Sequence, residues 1–225
     1  MPDMIIPLII IGIVVIVALA IIGYMQEQKR LDAFRVLADK LGLQFTAAHD
    51  TRIPVRYGFL DALRQGDNRY AYNVLSGTYQ QFPVFAFDFH YETHSTDSKG
   101  NRQTHHHYFS FFVLEQARDF PELRIYPETL LSRLGHMLGF EDIDFESLEF
   151  SRAFCVRSKD RKFAYDVCHA RMMEYLLAHR DLSLEIEHTC VAMSFNKRLK
   201  PDEIPGRLQQ LVEIVNLFPE YLYRS

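Results

Sequence analysis

The pattern of hydrophobic positions opens with one unbroken run, because residues 4–25 carry no charged side chain. A helix rises about 1.5 Å per residue, so this run is long enough to cross the roughly 30 Å hydrocarbon core of a bilayer. A cleaved signal peptide fits less well, because no Lys or Arg precedes the run and its apolar part exceeds about 15 residues. We therefore predict a transmembrane anchor at residues 1–25, in contact with lipid through residues 4–25.

The pattern then changes to helical spacing. Apolar residues recur every three or four positions, and Gly42 follows them as a helix stop. They are Leu31, Phe34, Leu37, Ala38 and Leu41. This spacing predicts a juxtamembrane amphipathic helix at residues 26–42, whose apolar side lies against either the domain or the bilayer surface.

Alternating polar and apolar residues predict three strands, at residues 69–79, 83–94 and 104–115. In the second of these strands the odd positions from 85 to 91 are aromatic and the even positions from 88 to 94 are polar. Burying aromatic residues of both arms together requires odd positions to pair with odd positions. This register predicts that His90, Glu92, His94 and His106 share an outer, solvent-facing surface of a hairpin.

The remaining pattern mixes short strands with helices. It predicts strands at residues 123–126 and 151–156, a hairpin at 182–187 and 189–195, and helices at 128–138, 161–179 and 202–217. Because the strands cluster instead of alternating with helices, the fold class is α+β. We expect an N-terminal transmembrane helix followed by a soluble domain at residues 43–225, with a mainly antiparallel sheet packed with about three to four helices.

Charge sets the predicted orientation and excludes one class of partner. The four basic residues that follow the apolar run are Lys29, Arg30, Arg35 and Lys40. The positive-inside rule therefore places the domain in the cytoplasm. The formal net charge is −4 and the pI about 6.2, which disfavours nucleic-acid binding. The basic segments 159–162 and 196–200 fit solvated loops or, alternatively, contacts with anionic lipid headgroups.

The cysteines are three in number and widely spaced, without a CxxC pair. They are Cys155, Cys168 and Cys190. This usage fits a reducing compartment and buried thiols better than a disulfide framework or a nucleophile.

Only the histidine-rich hairpin face combines side chains that suit a chemical site. Imidazole and carboxylate groups two positions apart on a strand point the same way and suit Zn²⁺. The candidate ligands are His90, Glu92, His94 and His106, although a hairpin's solvent face requires polar residues in any case. The acidic stretch from Asp142 does not match a calcium loop, because Ser147 replaces its glycine and Ala153 its final glutamate. No recognised catalytic or nucleotide-binding motif occurs, so we predict no catalytic or cofactor-binding residues and no cofactor.

Several longer motifs recur in a known order. They are LADKLGLQF after the anchor, NVLSG at residues 73–77, the hairpin FDFHYETHSTDSKGNRQTHHH, PELRIYPETLLSRLG, GFEDIDFES followed by EFSRAFCVRSKD, and the closing helix. In this order the chain resembles a family of small, single-span bacterial membrane proteins with one α+β domain of unknown function. The resemblance covers nearly the whole chain and departs from the family at residues 105–107, where Arg, Gln or Thr is usual. It implies no established activity.

These observations favour a non-enzymatic interaction or scaffold domain at the cytoplasmic face of the membrane. The expected location is the cell inner membrane, with a single pass and a cytoplasmic C-terminal domain. Beyond the lipid bilayer, the expected partner is a membrane or cytoplasmic protein. The alternative is a metal-binding protein or a hydrolytic enzyme that uses the histidine-rich hairpin face.

Overall fold

A single long helix, α1 (Pro2–Leu41), begins the chain in the computed structural model. The structure describes residues 2–98, 100–129 and 142–224, and the side chains from residue 12 onward within them. From Gly12 onward, α1 is long and apolar enough to span a membrane, with mean hydropathy 1.3 and none of its apolar window buried. The amphipathic segment continues the same helix without a break, and Gly42 ends it in the left-handed conformation at φ +67°.

Within the described residues, six antiparallel strands form one sheet around a central strand of 26 residues, β4. The strands are β1 (Gln44–Thr46), β2 (Asp67–Tyr79), β3 (Phe82–Thr96), β4 (Arg102–Pro127), β5 (Phe154–Ser158) and β6 (Ser183–Ser194). Strand β6 pairs along one edge of β4, whereas β3 and β5 pair end to end along the other edge. The order β1-β2-β3-β4 makes the first half an antiparallel meander.

Helices cover both faces of this sheet, which confirms the predicted α+β class. They are α2 (Arg52–Arg56), α3 (Asp61–Arg64), α4 (Leu148–Ala153), α5 (Arg161–Val167), α6 (Ala170–Ala178) and α7 (Ile204–Asn216), followed by a 3₁₀ turn at Glu220–Tyr223. The larger core packs residues of α1, α5, α6 and α7 against one face. A smaller core packs α2 and α3 against the aromatic residues of the other face.

The hairpin register is the predicted one. Odd positions pair with odd positions, as in Phe87 opposite Phe111, and Glu92 lies opposite His106. The prediction of a solvent-facing even surface was wrong for its first half, because Asp88 and His90 are each only 1% exposed. Alternation of polar and apolar residues indicates a solvent-facing surface only where one face of the sheet is uncovered. Here α1 lies over this face at Asp88.

Four further boundaries differ from the prediction. The expected C-terminal hairpin is one strand, β6, with a kink where His188 adopts φ +52° opposite Phe120 of β4. The expected strand at 123–126 is the end of the long β4, and a bulge before it bends the sheet.

The expected helix at 161–179 is two helices, α5 and α6, which are separated at residues 168–169. The expected strand at 151–156 begins instead as α4, whose N-cap Ser147 accepts the backbone N–H of Phe150. From residue 130 on, the predicted helix at 128–138 lies outside the described residues.

Candidate functional site

One buried carboxylate joins α1 to the sheet. Asp88 of β3 is 1% exposed and accepts hydrogen bonds from Arg30 Nη2 at 2.7 Å, Ser110 Oγ at 2.8 Å and Asn73 Nδ2 at 3.0 Å. Arg198 Nε lies 3.4 Å from the same carboxylate. A buried charge is stable only when it is paired and hydrogen-bonded, and Asp88 meets both conditions through groups from four different parts of the chain.

A bulge in β2 brings one of these partners into place. The register between β2 and β3 shifts between Tyr72 and Leu75, and Asn73 within the shift has φ +51°. Asparagine tolerates this left-handed conformation better than most residues. The bulge therefore directs the Asn73 amide toward Asp88.

The segment 196–200 lies against α1 just after the apolar run ends. Arg30 Nη1 donates to the carbonyl oxygen of Leu199 at 2.8 Å, and Arg198 Nη2 lies 3.3 Å from Glu27 Oε1. The segment also has exposed basic residues, Lys197 and Lys200. We call this region, comprising residues 27–30 and 196–200, the helix-entry end of the domain.

The histidine-rich part of the hairpin lies toward the same end. Phe34 of α1 stacks on Phe45 of β1. Phe45 pairs with Leu75 of β2, and Leu75 pairs with Ala86 of β3, so Phe34 lies at the level of Ala86. Arg30, about one turn closer to the apolar run, binds Asp88. The numbering of β3 therefore rises toward the helix-entry end, and the residues beyond Asp88 continue in that direction.

Three of the four predicted metal ligands lie together. His90 Nε2 is 3.1 Å from His106 Nδ1, and His106 Nδ1 is 3.4 Å from Glu92 Oε1. One ligand atom from each of the three residues lies within 4.8 Å of the other two. Asn68 holds two of them, because its carbonyl oxygen is 3.1 Å from His90 Nδ1 and its amide donates to Glu92 Oε1 at 2.6 Å.

The surroundings favour a neutral imidazole beside an ionised carboxylate. His90 is buried between Tyr70 and Tyr108, with ring centroids 4.5 and 4.8 Å away. This burial lowers the pKa of His90 below its usual value of 6.5. The hydrogen bond from Asn68 lowers the pKa of Glu92. Both groups are therefore in the protonation state that binds metals at neutral pH.

The fourth predicted ligand points elsewhere. His94 Nδ1 is 3.1 Å from Thr104 Oγ1, and its Nε2 is 3.8 Å from a carboxylate oxygen of Asp67. The neighbouring His107 belongs to the opposite face, where it stacks on Tyr91 at 4.5 Å. The cluster is therefore His90, Glu92 and His106, without His94.

A second buried charge network escaped the sequence prediction. Arg124 of β4 is 3% exposed and binds Asp61 at 3.1 Å and Glu187 at 2.5 Å. Glu185 lies 3.3 Å from Arg124 and accepts the backbone N–H of Asp61 at 2.5 Å and that of Ala62 at 3.0 Å. Burial raises the pKa of Glu185 to about 7. The only sign of this network in the sequence is a set of isolated charged residues within apolar strands. These charges bind one another and hold α3 on the sheet.

The three cysteines are buried and free. Burial raises the pKa of Cys155 to about 12 and that of Cys190 to about 11, and it also raises the pKa of Cys168. Because a nucleophilic cysteine acts as a thiolate, these protonated thiols do not suit nucleophilic chemistry.

A cleft of about 420 Å³ opens beside the hairpin on its odd-numbered face. Aromatic rings and neutral polar groups line it: Ala62, Gln65, Tyr91, His107, Tyr108, Phe109, Ser183, Ser194, Phe195 and Asn196. Among the described residues, none of its lining groups is a carboxylate.

Comparison with known proteins identifies one similar fold. No family model matches the chain, and no curated protein matches it. A solved structure does match, that of the mycobacterial trehalose monomycolate transport factor A, TtfA, with a TM-score of 0.61. The match has 11% sequence identity and covers 84% of this chain and 96% of that chain. At this identity the similarity shows a shared fold, and the resemblance to a bacterial family stays a prediction.

Proposed function

We propose that this protein is a membrane-anchored, non-enzymatic interaction domain at the cytoplasmic face of the cell inner membrane. The observation that carries the proposal is that α1 is both the apolar helix and an element of the domain's core. A domain on a flexible linker samples all orientations, whereas this domain has no linker between the apolar run and its first core residue.

The docking of α1 keeps the orientation constant. Phe34 is 2% exposed, and Leu37 and Ala38 are also buried. The ion pair between Arg30 and Asp88 opposes rotation of the helix against the sheet, because rotation would separate the buried carboxylate from its nearest cation. The same helix face must therefore meet the domain in every molecule.

The short distance to the apolar run limits what the domain can contact. From Met25 to Arg30 is five residues, or about 7.5 Å of helix. The helix-entry end therefore lies at the height of the lipid headgroups when residues 4–25 span the bilayer. Exposed Lys29, Lys197 and Lys200 then suit anionic headgroups, and the remaining surface suits a protein that is itself in or at the membrane.

Two independent arguments support the location and the class of function. The basic residues that follow the apolar run favour a cytoplasmic domain by the positive-inside rule. The name of TtfA describes a transport factor, which agrees with a role as an accessory protein. We take the partner of this chain to be a protein of the same membrane.

A photo-crosslinking residue placed at the helix-entry end tests the proposal. We expect a Lys197 replacement in the full-length protein to form a specific adduct with one membrane protein in cells. The matched control is the same replacement at exposed Gln81, in the turn at the opposite end of the β2–β3 hairpin. A flexible Gly-Ser insertion between Met25 and Gln26 should abolish the adduct, because it releases the fixed orientation without altering the core.

Equal adducts from both positions, or an adduct that survives the insertion, would contradict a fixed interaction face. Orientation has its own test with a Lys197→Cys variant, since the natural thiols are buried. A membrane-impermeant maleimide should label this variant only after the cells are permeabilised. Labelling in intact cells would place the domain outside and overturn the cytoplasmic assignment.

A further inference from the structure

We infer that His90, Glu92 and His106 bind one divalent transition-metal ion, with Zn²⁺ as the best fit. The inference concerns the hairpin alone and is independent of any partner protein. It starts from the convergence of three ligand atoms from two strands, all within 4.8 Å of one another.

The distances between the ligand atoms match those of a tetrahedral site. Zinc bonds to histidine nitrogen and carboxylate oxygen are about 2.0–2.2 Å, so neighbouring ligand atoms in a tetrahedron lie about 3.3–3.6 Å apart. Two of the three separations are close to this range, 3.1 Å between His90 Nε2 and His106 Nδ1 and 3.4 Å between His106 Nδ1 and Glu92 Oε1, and the third pair of ligand atoms lies within 4.8 Å. One ion therefore fits between these atoms with only small shifts of the side chains.

A second layer of contacts already orients the ligands. The carbonyl oxygen of Asn68 accepts the Nδ1–H of His90, which leaves the lone pair of Nε2 directed at the cluster. The Asn68 amide donates to Glu92 and holds that carboxylate in place. Metal-binding histidines usually donate their other ring N–H to a carbonyl or carboxylate in this way.

The chemistry and exposure of the ligands select the class of ion. Two imidazoles with one carboxylate suit Zn²⁺, Co²⁺ or Ni²⁺, whereas Ca²⁺ and Mg²⁺ prefer oxygen ligands alone. Tyr70 and Tyr108 flank His90 and exclude water from one side. The side chain of His106 is 51% exposed, so an ion can enter from solvent, and the fourth position remains for water or another ligand.

Without metal, the same atoms form hydrogen bonds to one another, with His106 Nδ1–H donating to His90 Nε2. Metal binding at Nδ1 requires the His106 tautomer that carries its proton on Nε2. Protons compete with the ion for both imidazoles and the carboxylate, so binding should weaken as the pH falls. A purely structural role for the hydrogen bond predicts no binding at any pH. The two interpretations therefore separate in a direct titration.

The test uses full-length protein in detergent, purified with a tag that contains no histidine, stripped with EDTA and titrated with Co²⁺ alone. We expect one Co²⁺ per chain, with the visible absorption bands of four-coordinate Co²⁺, and displacement by one equivalent of Zn²⁺. His106→Ala and Glu92→Gln should each weaken binding more than about tenfold. The matched controls are His94→Ala and His107→Ala, which change the same hairpin outside the cluster and should bind as the wild type does.

Glu92→Gln guards against loss of folding, because Glu92 is partly exposed and the change preserves the shape of its side chain. Circular dichroism confirms that each variant is folded. The inference is overturned if folded wild-type protein shows no four-coordinate Co²⁺ spectrum. It is equally overturned if binding survives in His106→Ala and Glu92→Gln but is lost in His94→Ala or His107→Ala, since the ion would then bind elsewhere on the histidine-rich surface.

Discussion

Replacing Asp88 by Asn tests whether buried charge holds α1 on the domain. The change keeps the shape of the side chain but turns one of its two acceptor oxygens, which bind Ser110 and Asn73, into an NH2 donor. It also leaves Arg30 and Arg198 without their shared negative partner. Removing one member of a buried ion pair costs about 3–5 kcal/mol. The side chains of Arg30 and Arg198 are 15% and 31% exposed, so water offsets part of that cost. We expect a loss of about 2–3 kcal/mol.

Thermal unfolding of the full-length protein in detergent, followed by circular dichroism, measures this loss. For a domain of this size each kcal/mol lowers Tm by roughly 2–4 °C, so the predicted fall is roughly 4–12 °C. The control is Asp32→Asn on the same helix, where a side chain 69% exposed pairs with Arg35. This control should change the free energy of unfolding by less than about 0.5 kcal/mol.

A result in which Asp88→Asn and Asp32→Asn unfold at the same temperature would refute the reasoning. A double-mutant cycle with Arg30→Ala gives a second check. The coupling between Arg30 and Asp88 should exceed about 1 kcal/mol, because the two side chains are in direct contact. A coupling near zero would mean that packing alone docks α1.

Five further substitutions probe other features of the fold. Phe34→Ala should lower the free energy of unfolding, measured by urea titration, by about 3–5 kcal/mol. The control Val36→Ala, at a residue of the same helix that is 68% exposed, should change it by less than about 0.5 kcal/mol. Gly66→Ala should lower it by at least about 2 kcal/mol, because φ is +58° and a Cβ would lie 2.2 Å from a carbonyl oxygen of β3. Gly206→Ala, in open space on α7, should instead raise it by about 0.5–1 kcal/mol, and a loss there would count against the described packing. Burial raises the pKa of Glu185 from 4.5 to about 7, so the folded state binds this proton more tightly than the unfolded state does. The free energy of unfolding should therefore fall as the pH rises from about 5 to about 7. Glu185→Gln should remove that part of the pH dependence of the urea midpoint, and an unchanged slope would show that Glu185 is ionised throughout.

The sequence was sufficient for features that depend on neighbouring residues. An apolar run of bilayer length predicts an anchor wherever it occurs, and a two-residue period leaves only one register parity for the hairpin. The grouping of His90, Glu92 and His106 followed from that parity, since Glu92 and His106 are opposite each other. These relations are local, or involve two strands joined by a short loop.

Other features depended on contacts between distant parts of the chain. The sequence predicted polar residues on the even face of the hairpin but not that Arg30 of α1 binds Asp88 or that Tyr70 and Tyr108 bury His90. The irregularities in the pairing of β4 with β6, and the bulge that directs Asn73 toward Asp88, are also invisible in a period-two pattern, because an inserted residue shifts the phase of everything after it.

By itself, then, the sequence determined the apolar run of bilayer length, the α+β class, the hairpin register and the set of residues from which the His90, Glu92 and His106 cluster comes. The tertiary structure alone decided that α1 belongs to the core, that Arg30 and Arg198 meet at Asp88, and that His94 is directed away from the cluster. The physical reason is that burial and ion pairing are properties of surfaces brought together by folding. Arg30 and Asp88 are 58 residues apart, and Arg30 and Leu199 are 169 apart, so no local pattern records these contacts.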